Sequence, residues 1–103
     1  MFTVIARFPA VAEHQKDVFE ALDRSLEVAR NAPGLLAYQV LQPKEANQRV
    51  GLMIWETRDH FQKMLQSEES RAVHAEVKPE YFDGTPGIEE LEVVSSWHSE
   101  ATA

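Results

Sequence analysis

The chain alternates short apolar runs with amphipathic stretches, and the pattern divides it into six main elements. Phe2–Phe8 is an apolar run rich in strand formers, closed by Pro9. From Val11 to Asn31 the period lengthens. Val18, Leu22, Ser25, Leu26 and Ala29 fall on one helical stripe with Phe19 beside it, and charged residues cover the other faces. Pro33-Gly34 stops that helix. Leu35–Leu41 is a second strand, the polar segment 43–48 a turn, and Arg49–Glu56 a third strand paired to the second as a hairpin. Thr57 is placed to cap a helix that has Asp59 in its first turn and carries Phe61, Met64 and Leu65. Ser67, followed by Glu68 and Glu69, looks like a second cap, which breaks the helix and restarts its phase. Val77–Gly87 holds Pro79, Asp83-Gly84 and Pro86-Gly87 and reads as loop. Ile88–Trp97 is the last strand, and 98–103 a polar tail.

The order strand, helix, strand, strand, helix, strand is the split βαβ of the ferredoxin-like α+β class, with a four-stranded antiparallel sheet. Two helices cover one face of such a sheet. The strands are nevertheless apolar on both faces. Leu36, Tyr38 and Val40 alternate with Leu35, Ala37 and Leu41, and Val50, Leu52 and Ile54 alternate with Met53 and Trp55. A bare apolar face of this size marks an interface, so a two-fold homodimer joined through its sheet faces is expected.

Composition narrows the chemistry. A chain of 103 residues, 44% of them apolar, suits a single domain over 1–103 with its core in about 2–97. Cysteine is absent, which excludes disulfides, thiolate metal sites and a thiol nucleophile. Ten basic against 17 acidic residues leave a net charge of −7, which argues against nucleic acid and anionic membranes as partners. No apolar run approaches the roughly 20 residues of a membrane span. No basic region precedes the first apolar run, so a signal peptide is not expected and a cytoplasmic location is.

The candidate site centres on His74. After the break at Ser67, residues Ser70, Val73, His74 and Val77 share one face, which sets the imidazole among apolar neighbours. It is either an acid, base or hydrogen-bond donor, or a part-exposed helix histidine bonded to a carbonyl. Trp55, Phe61, Met64 and Leu65 either wall a flat aromatic pocket or fill the core between helix and sheet. Trp55 needs a partner for its indole N–H if buried. Arg7 either binds an anionic substrate group or pairs with an acid nearby, and the pair is favoured. Tyr38 either donates to a substrate oxygen or is a core tyrosine. Strand spacing sends Glu89 and Glu90 to opposite faces, so they make no cation site. Tyr81 and Phe82, among turn residues, suit a lid or a packing segment.

Trp55-Glu56-Thr57-Arg58-Asp59-His60-Phe61, then Leu65-Gln66-Ser67 and Ala72-Val73-His74, resembles the antibiotic biosynthesis monooxygenase domain. Pro33 to Val40 resembles that family's turn into its second strand, and the likeness spans about 2–97. The resemblance implies a ferredoxin-like fold that dimerises into an α/β barrel. Spacing is nearest the family's haem-degrading branch, in which a histidine matching His74 ligates iron. That branch has tryptophan where this chain has Met64, and asparagine where it has Ala6. Other members oxidise phenols and quinols with no metal or flavin, and the protein supplies an apolar pocket, a proton acceptor and exclusion of water. The resemblance thus implies a monooxygenase of a small aromatic with oxygen as partner and no bound cofactor, with His74 at the centre. A haem protein ligated by His74 and a non-catalytic dimeric barrel that binds a small molecule are the alternatives.

Overall fold

The computed structural model describes residues 1–44 and 47–99. Strand β1 (Phe2–Pro9) leads through a short 3-10 turn at Ala12–His14 into helix α1 (Gln15–Arg30). Strands β2 (Leu35–Leu41) and β3 (Gln48–Trp55) follow, then helices α2 (Arg58–Leu65) and α3 (Glu68–Ala75), a second 3-10 turn at Pro79–Tyr81, and strand β4 (Gly87–Glu92). The sheet is antiparallel in the order β2-β3-β1-β4, which is the ferredoxin-like arrangement. It is open, with β2 and β4 as its edges. The barrel expected from the sequence is therefore not closed within one chain.

The cross-strand register sorts side chains into two faces, because directly opposed residues share a side. Phe2, Val4 and Ala6 of β1 stand opposite Trp55, Met53 and Gly51 of β3, and all six are buried beneath the helices. Leu22, Leu26 and Ala29 of α1, with Phe61 and Met64 of α2, complete that core. Phe61 packs its ring 5.9 Å from Phe2 and 6.0 Å from Trp55, centroid to centroid. Gly51 lets α1 lie close to the sheet, since a Cβ there would stand 3.3 Å from Leu22 Cδ1. The opposite face carries Ile5, Val50, Leu52, Ile54, Leu41 and Leu91, none of them fully buried.

Both predicted caps are present. Thr57 accepts from the His60 amide at 3.3 Å, and Ser67 accepts from the Ser70 amide at 3.2 Å. Ser67 Oγ also donates to the Met64 carbonyl at 2.7 Å, so one hydroxyl ends α2 and starts α3.

Three expectations are corrected. A β-bulge between Leu35 and Ala37 shifts the register of β2. Leu35, Tyr38 and Val40 then share the helix side, while Ala37, Gln39 and Leu41 take the open side. The last strand ends at Glu92 rather than Trp97. Glu92 is paired with Phe2, and one further bond runs from the Val93 amide to the Met1 carbonyl. Val94 and Trp97 are left 96% and 83% exposed. The helix expected over Val11–Asn31 has a 3-10 turn for its first part. The turn at 43–48 lies partly, and the tail at 98–103 mostly, outside the described residues.

Gly34 joins α1 to β2 with φ of +92°, and a Cβ there would collide with the His60 ring. Gly34→Ala combines left-handed strain with that collision and is expected to cost about 1–3 kcal/mol. In a domain of this size each kcal/mol lowers Tm by about 4–8 °C. Thermal unfolding followed by circular dichroism checks this, and an unchanged Tm contradicts it.

Candidate functional site

The two helical arms cover the sheet unequally. α1 crosses above β3 and β1, α2 and α3 lie beside it, and Arg24 of α1 pairs with Glu76 just past α3. Between α1, α3 and the β4 edge a groove of about 310 Å³ remains. Phe8, Val18, Ala21, Val73, Val77, Phe82 and Ile88 supply its apolar walls, Pro86 and Gly87 its rim, and Ser25 and His74 its polar side chains. His74 is the one ionisable side chain among these lining residues. A mostly apolar hollow with a few convergent polar groups is the usual character of a small-molecule site.

The loop before β4 forms the outer wall. The Tyr81 ring stacks on His14 at 3.8 Å, and the Tyr81 carbonyl accepts from the Val11 amide at 3.0 Å. Phe82 forms an isolated bridge with Ala10 and stands 6.3 Å from the Phe8 ring, while Asn47 donates to Asp83 at 3.1 Å. These contacts hold Phe82 over the groove.

Behind the groove lies an inner cavity of about 40 Å³. Phe8, Ser25, His74 and Ile88 line both spaces and so form the neck between them. Val4, Ala6, Gly51 and Met53 make the cavity's floor, Leu22 and Leu26 come from α1, and Phe61, Met64, Leu65 and Ser70 close it from the other arm. The restart at Ser67 achieves this placement. It brings Ser70 (3% exposed) and Val73 inward, with His74 on the same side at the neck, itself solvent-exposed.

The structure thus gathers His74, Phe61, Met64 and Leu65 around one cavity. It separates the other candidates. Trp55 is fully buried in the core cluster, outside the lining of groove and cavity, and its Nε1 has no hydrogen-bond partner among the described residues. The partner expected for a buried indole is not supplied. Arg7 lies on the open face of the sheet, where it pairs with Glu89 at 2.9 Å. Both side chains are half exposed, so the pair contributes little stability. Glu90 points to the helix side and accepts from Arg58 at 3.3 Å, so the adjacent carboxylates are on opposite faces. Tyr38 is half-buried on β2, the edge strand farthest from β4, and packs against the core. His60 Nδ1 lies 2.7 Å from Thr57 Oγ1.

Sequence reasoning did not single out Phe8, Ile88 or the hydroxyls of Ser25 and Ser70 as parts of a site. Ser25 carried one signal, a polar residue on the apolar stripe of α1. A second depression, about 620 Å³, lies at the C-terminal end of α1 against α2. Glu27, His60, Lys63 and Glu69 line it, with Val28 and Met64 beneath. Glu27, Lys63 and Glu69 give it a charged rim, which the groove at His74 lacks.

Among the described residues no cluster of three or more histidine and carboxylate side chains is arranged to hold a metal ion. Haem also fits these residues poorly. The groove at His74 is at the small end of drug-sized sites, and the space behind it admits only a few atoms. Met64 and Ala6, which stand where the haem-degrading branch has tryptophan and asparagine, both border the inner cavity and are buried. No helix of the described residues is long and apolar enough to cross a membrane.

Solved structures with this architecture are numerous. The Rv0793 protein of Mycobacterium tuberculosis superposes with a TM-score of 0.84 at 18% identity, over 92% of this chain and 96% of that one. A Caulobacter crescentus protein bearing the antibiotic biosynthesis monooxygenase name gives 0.77 at 25% identity, over 91% and 90%. PA3566 of Pseudomonas aeruginosa gives 0.79 at 16% identity, over 91% and 94%. A comparison with curated proteins finds no match. The sequence model of one family matches residues 1–76, which run from β1 to the end of α3 and include every residue gathered at the cavity except Ile88. The chain belongs to the antibiotic biosynthesis monooxygenase family.

Proposed function

We propose that this protein is a monooxygenase of a small phenolic or quinol-type aromatic, bound in the groove between α1, α3 and β4. In this reading the electrons come from the substrate itself, not from a bound metal or flavin. The observation that carries it is the placement of His74, the one ionisable side chain of the lining, at the neck of a mostly apolar groove. A flat ring enters between Phe82 and the α1 side chains Val18 and Ala21, and its hydroxyl reaches His74 and Ser25. A ring nitrogen of His74 accepts the phenolic proton, and the phenolate so formed is electron-rich enough to react with dioxygen. With the ring bound, the apolar walls and the ring itself limit water at the otherwise exposed His74.

The overall change balances without a further reductant. A phenol and one dioxygen give a quinone and one water. The O–O bond breaks, one oxygen atom becomes the new ring carbonyl, and the other leaves as water with the hydroxyl hydrogen and the displaced ring hydrogen. The four electrons that reduce dioxygen are those the ring loses.

The same reading includes a homodimer. Ile5, Leu52, Ile54 and Leu91 make a contiguous apolar patch on the face no helix covers, and such a patch is unfavourable in water. Pairing two such faces, with Arg7 and Glu89 at their margin, removes it from solvent and completes the barrel.

Two measurements test these statements. Oxygen uptake over a panel of phenols and quinols is expected for the wild type, with kcat reduced about 10²-fold or more in a folded His74→Ala variant. Haem added to the same protein is expected to give no Soret shift that depends on His74. Unchanged turnover in the variant, or a His74-dependent Soret shift, contradicts the reading. Sedimentation at micromolar concentration is expected to show a dimer that Leu52→Lys converts to folded monomer. A wild-type monomer contradicts the sheet-face pairing.

A further inference from the structure

The inner cavity has a character of its own, distinct from the groove in front of it. It is small, about 40 Å³, and its floor is built from Val4, Ala6, Gly51 and Met53, whose side chains offer no hydrogen-bonding group beyond a thioether. The strand amides and carbonyls beneath are engaged in the sheet register. Roughly 10–15 Å³ admits one water, which needs two to four polar partners; the floor offers none, so they would have to come from the helix side alone, while apolar surfaces take apolar guests such as xenon. The hydroxyls of Ser25 and Ser70 and the imidazole of His74 are all supplied by the helices, opposite the floor. Size admits a diatomic molecule and excludes an aromatic ring.

We infer that this cavity is a binding site for dioxygen, held by dispersion contacts behind the neck at which the substrate's hydroxyl is placed. Met53 and Met64 give its walls polarizable sulfur, which strengthens such contacts with an apolar guest. The inference rests on the proposed oxidation for its purpose. It assigns the second reactant a place of its own, adjacent to the first, so that the two meet across Phe8, Ser25, His74 and Ile88. It also gives the bulk of Met64 a role: the side chain closes the cavity from the α2 side and keeps it small.

Dissolved oxygen is paramagnetic, so its residence is read directly from the relaxation of methyl protons and needs no turnover. Under oxygen pressure the methyls of Leu26 and Met53 are expected to relax several-fold faster than that of Ala29, which is also buried but does not line the cavity. Ala6→Val is expected to fill the space and abolish the excess. If that variant fails to fold, Gly51→Ala fills the same cavity from β3 and is expected to have the same effect. Equal relaxation at lining and control methyls, ordered water in the cavity, or an excess that survives a folded filling variant overturns the assignment. If the excess is present and cavity-dependent while no phenol or quinol is oxidised, the gas site stands and the proposed oxidation falls. Oxidation without the excess leaves the oxidation and removes the site.

Discussion

A four-stranded sheet has two faces, and the helices of this chain cover one of them. That constraint governs both halves of the molecule. On the covered side, α1 and the α2–α3 arm must share a surface built from Phe2, Val4 and Ala6 against Trp55, Met53 and Gly51. Gly51 draws α1 down onto β3, and Phe61 fills the space between Phe2 and Trp55. What remains uncovered, near β4, is the groove. On the other side Ile5, Leu52 and Ile54 lie on the face that no helix of this chain covers, which is the ground for the proposed pairing with a second copy.

The chemistry depends on how the second arm reaches β4. A straight helix from Arg58 to Ala75 would turn His74 away from the stripe that Phe61 and Leu65 define. Ser67 interrupts it, bonding back to Met64 and forward to Ser70, and the new phase places Ser70, Val73 and His74 toward α1. The imidazole then stands between a groove that fits one ring and a cavity that fits a few atoms. The proposed oxidation asks little of sequence: one proton acceptor, apolar walls and room for two reactants side by side. That economy explains why the family's fold is easily read while its substrates are not.

Much of the fold was legible because its signals are local. The bounds of β2 follow from an apolar run after Pro33-Gly34, and the caps at Thr57 and Ser67 follow from hydroxyls set before amphipathic turns. The inward face of α3, with Ser70 and Val73, was legible for the same reason, since a cap resets the helical phase. The bulge in β2 was not, because Leu35-Leu36-Ala37 contains no glycine or other residue that marks one. The end of β4 was not, because Val93 and Val94 are good strand residues, and the ladder to β1 nevertheless stops at Glu92 opposite Phe2. Trp55 was grouped with Phe61, Met64 and Leu65 by composition. Depth within the core is a tertiary property, and it removed Trp55 from the cavity's walls. The groove itself comes from Phe8, Val18, Phe82 and Ile88, which lie on four separate segments and show no motif in common.

In the proposed reading the groove at His74, and not the larger depression at the end of α1, receives an aromatic ligand. Nitrogen–proton correlation spectra recorded while a simple phenol is titrated into the protein test it most directly. Saturable shifts confined to Ser25, Val73, His74, Phe82 and Ile88 are expected. Shifts that instead gather at Val28, His60, Lys63 and Glu69, or none that saturate, contradict the account.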